Sequence, residues 1–294
     1  MSDALSSSVA GAARLARAKV NLYLHVTGKR ADGFHLLDSL IVFAETGDEI
    51  RVAPADDLAL TVEGPFAEGL AAEADNLVLR AARALAAEIG ITPRAHIHLT
   101  KNLPIASGIG GGSADAAATL ASLAGLWQAT VAPARLQEIA LTLGADVPVC
   151  VDGRPAFIGG IGEEIAPAGT LPPAWLLLVN PKVPTPTPQV FKARTGGFSA
   201  AARWDRPPAA TVELAAYLQA QRNDLTDAAR IVAPVIGDVL NEIAATPDCL
   251  LARLSGSGAT CFGLYGSAAA AKAAGQAITA RRPDWWTSAA AIAG

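Results

Sequence analysis

A cluster of glycines directly before an alanine-rich segment most constrains how this chain folds. The segment Pro104–Ala114 reads PIASGIGGGSA, and four of the five positions Gly108–Gly112 are glycine. Backbone N–H groups in such a turn approach an anion closely, and a following helix adds the partial positive charge of its N-terminus. If the segment were only a flexible connection, its four glycines would lose much conformational entropy on folding. A mere connection is therefore the less favoured interpretation. The sequence therefore predicts a phosphate-binding loop and a helix over Ser113–Leu126, with Ser113 capping the helix or contacting a phosphate or its metal.

The spacing of this loop excludes several common nucleotide-binding signatures. The chain has no GxxxxGK[ST] pattern, so the loop is not an ordinary P-loop. Counted from Gly108, the sixth position is Ser113, so the loop is not GxGxxG either. The HRD and DFG triplets of protein kinases are also absent from the sequence. A glycine-rich phosphate loop of another type is required.

Composition excludes several broad classes of protein. Charged residues make up 17% and hydrophobic residues 51% of the 294 residues, which argues against disorder for most of the chain. The net charge of −4 argues against a broad nucleic-acid-binding surface. No apolar run reaches about 18 residues, so no membrane-spanning helix is expected. The opening MSDALSSSVAGAA is predicted to be a loose leader and not a signal peptide.

The cysteines indicate a reducing environment. Cys150, Cys249 and Cys261 are isolated from one another in the sequence and lie in apolar segments. An odd number of cysteines without close spacing indicates neither a disulfide framework nor a zinc site. We therefore expect buried thiols and a cytoplasmic location.

The order of predicted elements favours an α+β fold, because strands and helices mix without a regular βαβ rhythm. Alternating residues predict a strand over Ala18–Val26 with Lys19 and Asn21 on its polar face. The prolines predict an extended segment over Pro181–Pro188. Further predicted helices are Asn76–Ile89 with Asp75 as N-cap, Pro133–Leu143, Val212–Gln221, Ile231–Ala244 and Gly266–Ala280; further strands are Leu36–Phe43, Glu49–Val52, Leu58–Val62, His96–Thr100, Val147–Val151, Ala156–Ile158, Trp175–Val179 and Thr260–Tyr265; Gly196–Ala210 is expected to be a surface loop.

Three further features carry candidate chemistry, each beside a plainer interpretation. The Gly-Ser turn Leu254–Phe262, LSGSGATCF, is weak alone but is a candidate second wall for the same nucleotide. Asp146, in LGADVPVC, is either a turn residue or a carboxylate that accepts a proton during phosphoryl transfer. Lys19 is either a lysine with a buried stem and solvated head or a cation that neutralises charge developing on a phosphoryl group.

The histidines are less informative than these features. His96 and His98 share one face of a strand and could bind a metal, but no third ligand is evident. His35 follows Phe34 in a glycine-bounded loop, where the pair is either a turn or a site that recognises a nucleotide base.

These blocks together resemble the GHMP kinase superfamily, whose motifs are a lysine-bearing first strand, a Pro-initiated glycine-serine loop and a C-terminal Gly-Ser loop. The resemblance covers about Ala16 to Leu264, nearly the whole chain. It narrows to the branch of kinases that act on a cytidine diphosphate-linked methylerythritol in non-mevalonate isoprenoid precursor biosynthesis. The blocks that carry it are AKVNLYLHVTGKRADGFH, DNLVLRAA, LPIASGIGGGSADAA, LTLGADVPV and PTPQVF.

The resemblance implies a two-domain GHMP kinase fold, with an ATP-binding domain over residues 1–165, a C-terminal domain over 166–294 and the active site in the cleft between them. It implies transfer of the γ-phosphate of ATP to the 2-hydroxyl of the methylerythritol unit. Asp146 would be the base, Lys19 would orient and acidify the hydroxyl, and Asn21 would support that geometry. The implied ATP-binding residues are Pro104, Ile105, Ala106, Ser107, Gly108, Ile109, Gly110, Gly111, Gly112, Ser113 and Ala114 around the phosphates, with Asn76 and Lys101 near the adenine.

The resemblance also implies a substrate site and a metal. His35 would hydrogen-bond the cytosine, Phe34 and Phe191 would sandwich it, and Thr187 would line the methylerythritol site. Mg²⁺ would accompany ATP, with Ser113 the better candidate contact and Asp115 the weaker one.

The sequence departs from the family pattern at two places. A tyrosine is common where Phe34 stands, so stacking is retained and a phenolic hydrogen bond is lost. Ala106 and Ser107 stand where some members have glycine, so the early part of the loop is expected to be stiffer.

Two other functions remain open. The first is another small-molecule kinase of the superfamily, such as a homoserine kinase, against which Phe34, His35 and LGADVPV argue. The second is a non-catalytic nucleotide-binding protein, which would not need both Lys19 and Asp146. We expect a small-molecule substrate as the partner, with no nucleic acid, no membrane and no obligate protein partner.

Overall fold

The computed structural model describes residues 12–68, 70 and 76–294, so the predicted cap Asp75 and all but the last two residues of the predicted leader lie outside it. The chain divides into two compact units that are interleaved in sequence. The boundary expected after residue 165 stays a prediction. Of the described residues, unit 1 contains those up to Ala16 and those within Gly47–Leu103 and Gly112–Val151. Unit 2 contains Arg17–Thr46, Pro104–Gly111 and Asp152–Gly294.

The described residues form strands and helices without a regular βαβ alternation, which confirms the predicted α+β class. The strands are β1 (Arg14–Lys29), β2 (His35–Ala53), β3 (Leu58–Glu63), β4 (Ala95–Thr100), β5 (Ala156–Gly159), β6 (Glu164–Pro167), β7 (Trp175–Asn180), β8 (Leu251–Leu254), β9 (Cys261–Tyr265) and β10 (Trp286–Ala291). The helices are α1 (Leu77–Ile89), α2 (Gly111–Leu126), α3 (Pro133–Leu143), α4 (Val147–Asp152), α5 (Thr187–Ala193), α6 (Thr211–Gln219), α7 (Thr226–Val232), α8 (Val235–Ala244) and α9 (Ala268–Arg281).

In unit 1, strands and helices share one hydrophobic core. β3 pairs in parallel with β4, and β4 pairs antiparallel with the second half of β2, where Ile50 lies opposite Leu99. Alternate residues of β4 are buried, so Ile97 and Leu99 face the core. The helices α1, α2 and α3 contribute the rest of this core, including Val78, Leu85, Leu120, Leu123 and Ile139.

The ends of α1 show how local sequence sets a helix boundary. Asn76 is its N-cap, and the Asn76 side chain accepts a hydrogen bond from the Val78 N–H at 2.9 Å. Gly90 ends the helix in the left-handed conformation, at φ 73°, which glycine adopts at little cost. The helix therefore begins one residue later than predicted, and Asn76 takes the capping role expected of Asp75.

Unit 2 contains an antiparallel sheet in the order β10-β7-β9-β8. Its core joins Leu177 and Val179 of β7 with Ile236 and Ile243 of α8 and Ile278 of α9. The first half of β2 pairs separately with β5, which pairs in turn with β6.

The polar face predicted for β1 is itself buried, as residues 18 to 26 are buried on both faces. Two side chains of this face, Tyr23 and His25, contact the segment 199–203, which belongs to the predicted surface loop. The Tyr23 hydroxyl lies 2.5 Å from the Ala202 carbonyl oxygen, His25 Nδ1 lies 2.9 Å from the Ala200 carbonyl oxygen, and the Ser199 N–H donates to the Val26 carbonyl. Burial of Tyr23, and then its hydrogen bond to Asp38, raise the pKa of the phenol.

Several predicted elements differ from the structure. The strand predicted over Val147–Val151 is wrong, because these residues form α4; a short valine-rich run does not separate helix from strand, and Pro148 is tolerated in a first helical turn. The single helix predicted over Ile231–Ala244 is two helices, α7 and α8, separated at Pro234. The extended segment predicted over Pro181–Pro188 gives way to α5 at Thr187. The two strands predicted within residues 36–52 are one continuous strand, β2.

No helix in the described part of the chain is long and apolar enough to cross a membrane. The expectation of buried thiols holds for Cys261, whereas Cys150 and Cys249 are only partly buried, and none of the three forms a disulfide.

Candidate active site

The first glycine-rich loop joins β4 to α2, and its Pro104–Gly111 part belongs to unit 2. Gly108 and Gly110 have φ angles of 76° and 65°, in the left-handed region that glycine tolerates. Ala106 also lies there, at φ 50°, although it carries a Cβ atom. The backbone therefore adopts conformations that suit a glycine-rich turn.

The second glycine-rich segment lies directly against this loop. The Ser255 hydroxyl donates to the Gly108 carbonyl at 3.0 Å, and the Thr260 N–H donates to the Ser107 carbonyl at 3.0 Å. A Cβ atom placed on Gly108 would lie 2.7 Å from the carbonyl oxygens of both Ser255 and Gly258. The close approach of the two loops requires glycine at position 108.

The lysine-bearing strand β1 runs beside both loops. The Lys19 N–H donates to the Ile109 carbonyl at 2.9 Å, and a Cβ atom on Gly110 would lie 2.9 Å from Lys19 Cε. The Asn21 N–H donates to the Ser255 hydroxyl at 3.2 Å. Lys19, Asn21 and both glycine-rich segments are thereby brought together within unit 2.

The side chains of Lys19 and Asn21 are buried and hydrogen-bonded. Lys19 Nζ lies 3.4 Å from Asn21 Oδ1, and Asn21 Nδ2 donates to the Ser39 hydroxyl at 2.8 Å. The Ser39 hydroxyl donates onward to the Tyr23 carbonyl at 2.5 Å. This chain of hydrogen bonds fixes the amide of Asn21 with its oxygen toward the lysine. Sequence reasoning missed Ser39, and it named Ser255 only as part of the Gly-Ser turn Leu254–Phe262.

Lys101 lies in unit 1, where its ammonium group is buried between two carboxylates. Lys101 Nζ donates to Asp115 Oδ2 at 2.8 Å and also to Asp48 Oδ2. Asp48 Oδ1 accepts the N–H groups of Asn102 and Leu103 at 2.6 and 2.7 Å. Burial lowers the pKa of Lys101, but the two carboxylates outweigh it and the net shift is upward. The predicted contact of Lys101 and Asn76 with adenine stays a prediction, and both side chains have protein partners.

Ser113 and Asp115 stand in the first turns of α2 with different exposure. Ser113 is partly exposed. Asp115 is 3% exposed; its Oδ2 is paired with Lys101, and Oδ1 is buried without a hydrogen-bond partner. Burial raises the pKa of Asp115 to about 7, although Lys101 acts in the opposite direction. The magnesium contact expected of Ser113, and the weaker one expected of Asp115, stay predictions.

Within the described ranges, no group of three or more His, Cys, Asp or Glu side chains is arranged to hold a metal ion. His96 and His98 have ring centroids 4.0 Å apart, and the His96 ring bonds the Thr61 hydroxyl at 2.8 Å.

Asp146 directly precedes α4 in unit 1 and is partly exposed. An acid at the start of a helix is well placed to accept backbone N–H groups. A partly exposed carboxylate is also accessible to a reacting hydroxyl. The structure is compatible with both interpretations offered by the sequence.

The residues expected to recognise a base lie in unit 2. The rings of His35 and Phe191 stack with centroids 4.9 Å apart and an angle of 23° between planes. Burial, and then the positive charges of Lys29 and Arg194, lower the pKa of His35, which favours the neutral form of its ring. Phe34 is 59% exposed. The structure brings His35 and Phe191 together, while a sandwich of a base between Phe34 and Phe191 stays a prediction.

Thr187, the first residue of α5, lies beside the second glycine-rich segment. Its hydroxyl is 2.8 Å from the Ser257 hydroxyl. The two hydroxyl groups present hydrogen-bonding capacity near the Gly-Ser turn, and the predicted contact of Thr187 with substrate stays a prediction.

Substituting alanine at Gly108 is expected to lower the free energy of unfolding by about 1–3 kcal/mol, the usual cost of forcing atoms into a packed region. The new Cβ would meet backbone oxygens of the second glycine-rich segment, which cannot rotate away. Urea denaturation measures the effect. Gly125→Ala is the control, because a Cβ there meets open space within α2. Equal stability of the two variants would show that the loops do not depend on this close approach.

Comparison with known proteins agrees with this arrangement. The family described as GHMP kinases N terminal domain matches residues 76–154, and the family described as GHMP kinases C terminal matches residues 209–284, together just over half of the chain. The chain is therefore a GHMP kinase.

Individual relatives indicate a particular family within the GHMP kinases. A 4-diphosphocytidyl-2-C-methyl-D-erythritol kinase from Paramagnetospirillum magneticum is 56% identical over 94% of this chain and 97% of its own length. A crystal structure of 4-(cytidine 5'-diphospho)-2C-methyl-D-erythritol kinase, 33% identical, covers 96% of this chain and 100% of that chain, with a TM-score of 0.79. The chain belongs to the family of 4-diphosphocytidyl-2-C-methyl-D-erythritol kinases. A homoserine kinase from Cytophaga hutchinsonii, 18% identical over 100% of this chain and 97% of that chain with a TM-score of 0.67, shares the fold.

Proposed function

We propose that this chain transfers the γ-phosphate of ATP to the 2-hydroxyl of 4-diphosphocytidyl-2-C-methyl-D-erythritol, a step of non-mevalonate isoprenoid precursor biosynthesis. The observation that carries the proposal is the meeting of two glycine-rich segments at the buried Lys19 of β1 in a member of this kinase family. Two glycine-rich turns beside a buried cation suit a ligand with several phosphates. Thiols without disulfides suit a cytoplasmic location.

In the proposed reaction, Asp146 accepts the proton of the 2-hydroxyl as its oxygen forms a bond to the γ-phosphorus. The bond between that phosphorus and the bridging oxygen breaks, and ADP leaves with the bonding electrons. Because little covalent work is required of the protein, positioning and charge stabilisation supply most of the rate enhancement in phosphoryl transfer.

Lys19 is assigned to the charge that develops on the transferred group. Its ammonium is held beside Asn21 Oδ1, which helps to orient it. A fixed cation in a buried setting stabilises developing negative charge more strongly than one in water. Asn21 is a positioning residue in this assignment, because its amide is fixed in turn by Ser39.

The glycine-rich loop over Pro104–Ala114 is assigned to the ATP phosphates. Magnesium bound with ATP would neutralise charge on the phosphates, and Ser113 offers the accessible hydroxyl for it. His35 and Phe191 are assigned to the cytosine. A neutral histidine both donates and accepts hydrogen bonds, which suits recognition of a base edge.

The experiment that tests the function measures ADP released from ATP and magnesium with two acceptors side by side. We expect turnover with the cytidyl acceptor and none with homoserine, which is a control for a related enzyme of the same fold. Turnover with homoserine alone would refute the assigned substrate while leaving the kinase class intact. Turnover with neither would refute the proposed reaction.

A further inference from the structure

Arg194 caps the C-terminal end of α5, three residues after Phe191, and its guanidinium is only partly satisfied by protein groups. One terminal nitrogen donates to the Gly197 carbonyl oxygen, and the Cζ atom lies 5.6 Å from the centroid of the Phe198 ring. The Nε atom is buried without a hydrogen-bond acceptor. In the described portion of the chain, Arg194 has no carboxylate within ion-pairing distance.

An arginine with a buried, unsatisfied donor is unusual in a folded protein. A buried donor without an acceptor costs free energy, and the cost is larger for a charged group. The group is retained at lower cost if an anion supplies the missing acceptor when it binds. The guanidinium also rests against an aromatic face, which restricts its plane before any ligand arrives.

The surroundings indicate the chemistry of that anion. The Arg194 N–H donates to the Phe191 carbonyl at 3.3 Å, so Arg194 begins close to the residue whose ring stacks on His35. After burial, the charges of Lys29 and Arg194 lower the pKa of His35. Two positive charges therefore lie near the stacked rings of His35 and Phe191. Phe34, which precedes His35, and Phe198, which lies against Arg194, expose 59% and 55% of their surface. Aromatic rings together with unpaired cations suit a nucleotide that carries phosphates.

We propose that Arg194, held against Phe198, binds the diphosphate that follows the cytidine of the substrate and so makes the enzyme specific for a nucleoside diphosphate acceptor. The inference rests on the proposed function and adds a contact to it. Arginine presents several donors in one plane and forms paired hydrogen bonds to phosphate oxygens, which a lysine cannot reproduce. The orphaned Nε–H supplies one of these donors.

The test compares the binding of CDP and cytidine to the whole chain by calorimetry. In the unaltered protein we expect CDP to bind more tightly than cytidine. Arg194→Gln is expected to weaken CDP at least tenfold and to change the affinity for cytidine less than twofold. Arg194→Lys is expected to recover only part of the loss, since it keeps the charge and loses the planar donors.

The matched control is Lys192→Gln, which removes an exposed cation from α5 two residues away. It is expected to change neither affinity by more than twofold. Equal losses for CDP and cytidine in Arg194→Gln would overturn the inference, because they would indicate a disturbed base site. Unchanged CDP affinity, or a loss of the same size in Lys192→Gln, would also overturn it.

Kinetics separates this inference from the proposed function. With the cytidyl acceptor, Arg194→Gln is expected to raise the KM for that acceptor at least tenfold and to leave the KM for ATP within twofold. If the unaltered chain turns over the acceptor and Arg194→Gln keeps its KM, the inference alone fails. If the unaltered chain does not turn over the acceptor but binds CDP through Arg194, the proposed reaction fails and the diphosphate contact stands.

Discussion

Replacing Asp146 with asparagine is expected to lower kcat by about 10²–10⁴-fold, the usual contribution of a general base. The amide has nearly the shape of the carboxylate but does not accept a proton at neutral pH. Asparagine also caps a helix about as well as aspartate. The substitution therefore preserves any structural role of Asp146 at the start of α4 while removing the proposed chemistry.

Three measurements distinguish the two roles of Asp146. The dissociation constant for ATP and the thermal midpoint are expected to match those of the unaltered chain, whereas kcat falls. Asp152→Asn, at the other end of α4, is the control, because Asp152 is exposed and pairs only loosely with Arg154 at 3.4 Å. A kcat for Asp146→Asn within threefold of the unaltered value would remove Asp146 from the proton transfer and leave it a helix-capping residue.

The parts of the site that depend on local pattern were predictable from the sequence. The glycines of Pro104–Ala114 indicated a turn with special backbone conformations, and Gly108 and Gly110 have positive φ angles. The alternation over Ala18–Val26 indicated a strand, which the structure extends to Arg14–Lys29. In both cases a short segment carries the constraint, since backbone sterics and period-two alternation act between neighbours.

Contacts between distant segments were not predictable in this way. Asn21 and Ser255, whose hydroxyl it contacts, are 234 residues apart in the sequence. Neither segment contains a local pattern that indicates this contact. Asp48 is fully buried within β2, and its partner Lys101 is 53 residues away. Asp48 stands among other polar residues of β2, so no local pattern marked it as a buried acid. The valine-rich α4 was mistaken for a strand because short apolar runs lack a distinguishing period.

The ion cluster of Lys101, Asp48 and Asp115 shows what tertiary structure adds to the glycine-rich loop. Lys101 precedes the loop and Asp115 follows it, and their side chains meet at 2.8 Å. Asp48 holds the backbone N–H groups of Asn102 and Leu103, where the loop begins. Two carboxylates share one ammonium, so the cluster depends on that single cation for its balance of charge. The two segments that flank the loop are therefore held to one another within unit 1.

Lys101→Met is expected to lower the free energy of unfolding by about 3–5 kcal/mol, the usual cost of removing one partner of a buried ion pair. The methionine fills similar space but leaves Asp48 and Asp115 without a cation. Urea denaturation measures the loss. Lys272→Met, at an exposed position on α9, is the control and is expected to change stability by less than about 0.5 kcal/mol.

The pH dependence of this loss identifies its cause. Burial raises the pKa of Asp115 to about 7, so the folded chain holds the proton of this carboxyl more tightly than the unfolded chain does. The stability contributed by the protonated carboxyl is therefore lost as pH rises from about 4 through 7. Without Lys101 this carboxyl has lost its attracting cation, so the variant is expected to lose more stability at pH 8 than at pH 5.5. Adding Asp48→Asn and Asp115→Asn to Lys101→Met is expected to restore part of the stability. An equal loss at both pH values with no recovery in the triple variant would show that packing around Lys101, and not the unpaired carboxylates, supports the loop.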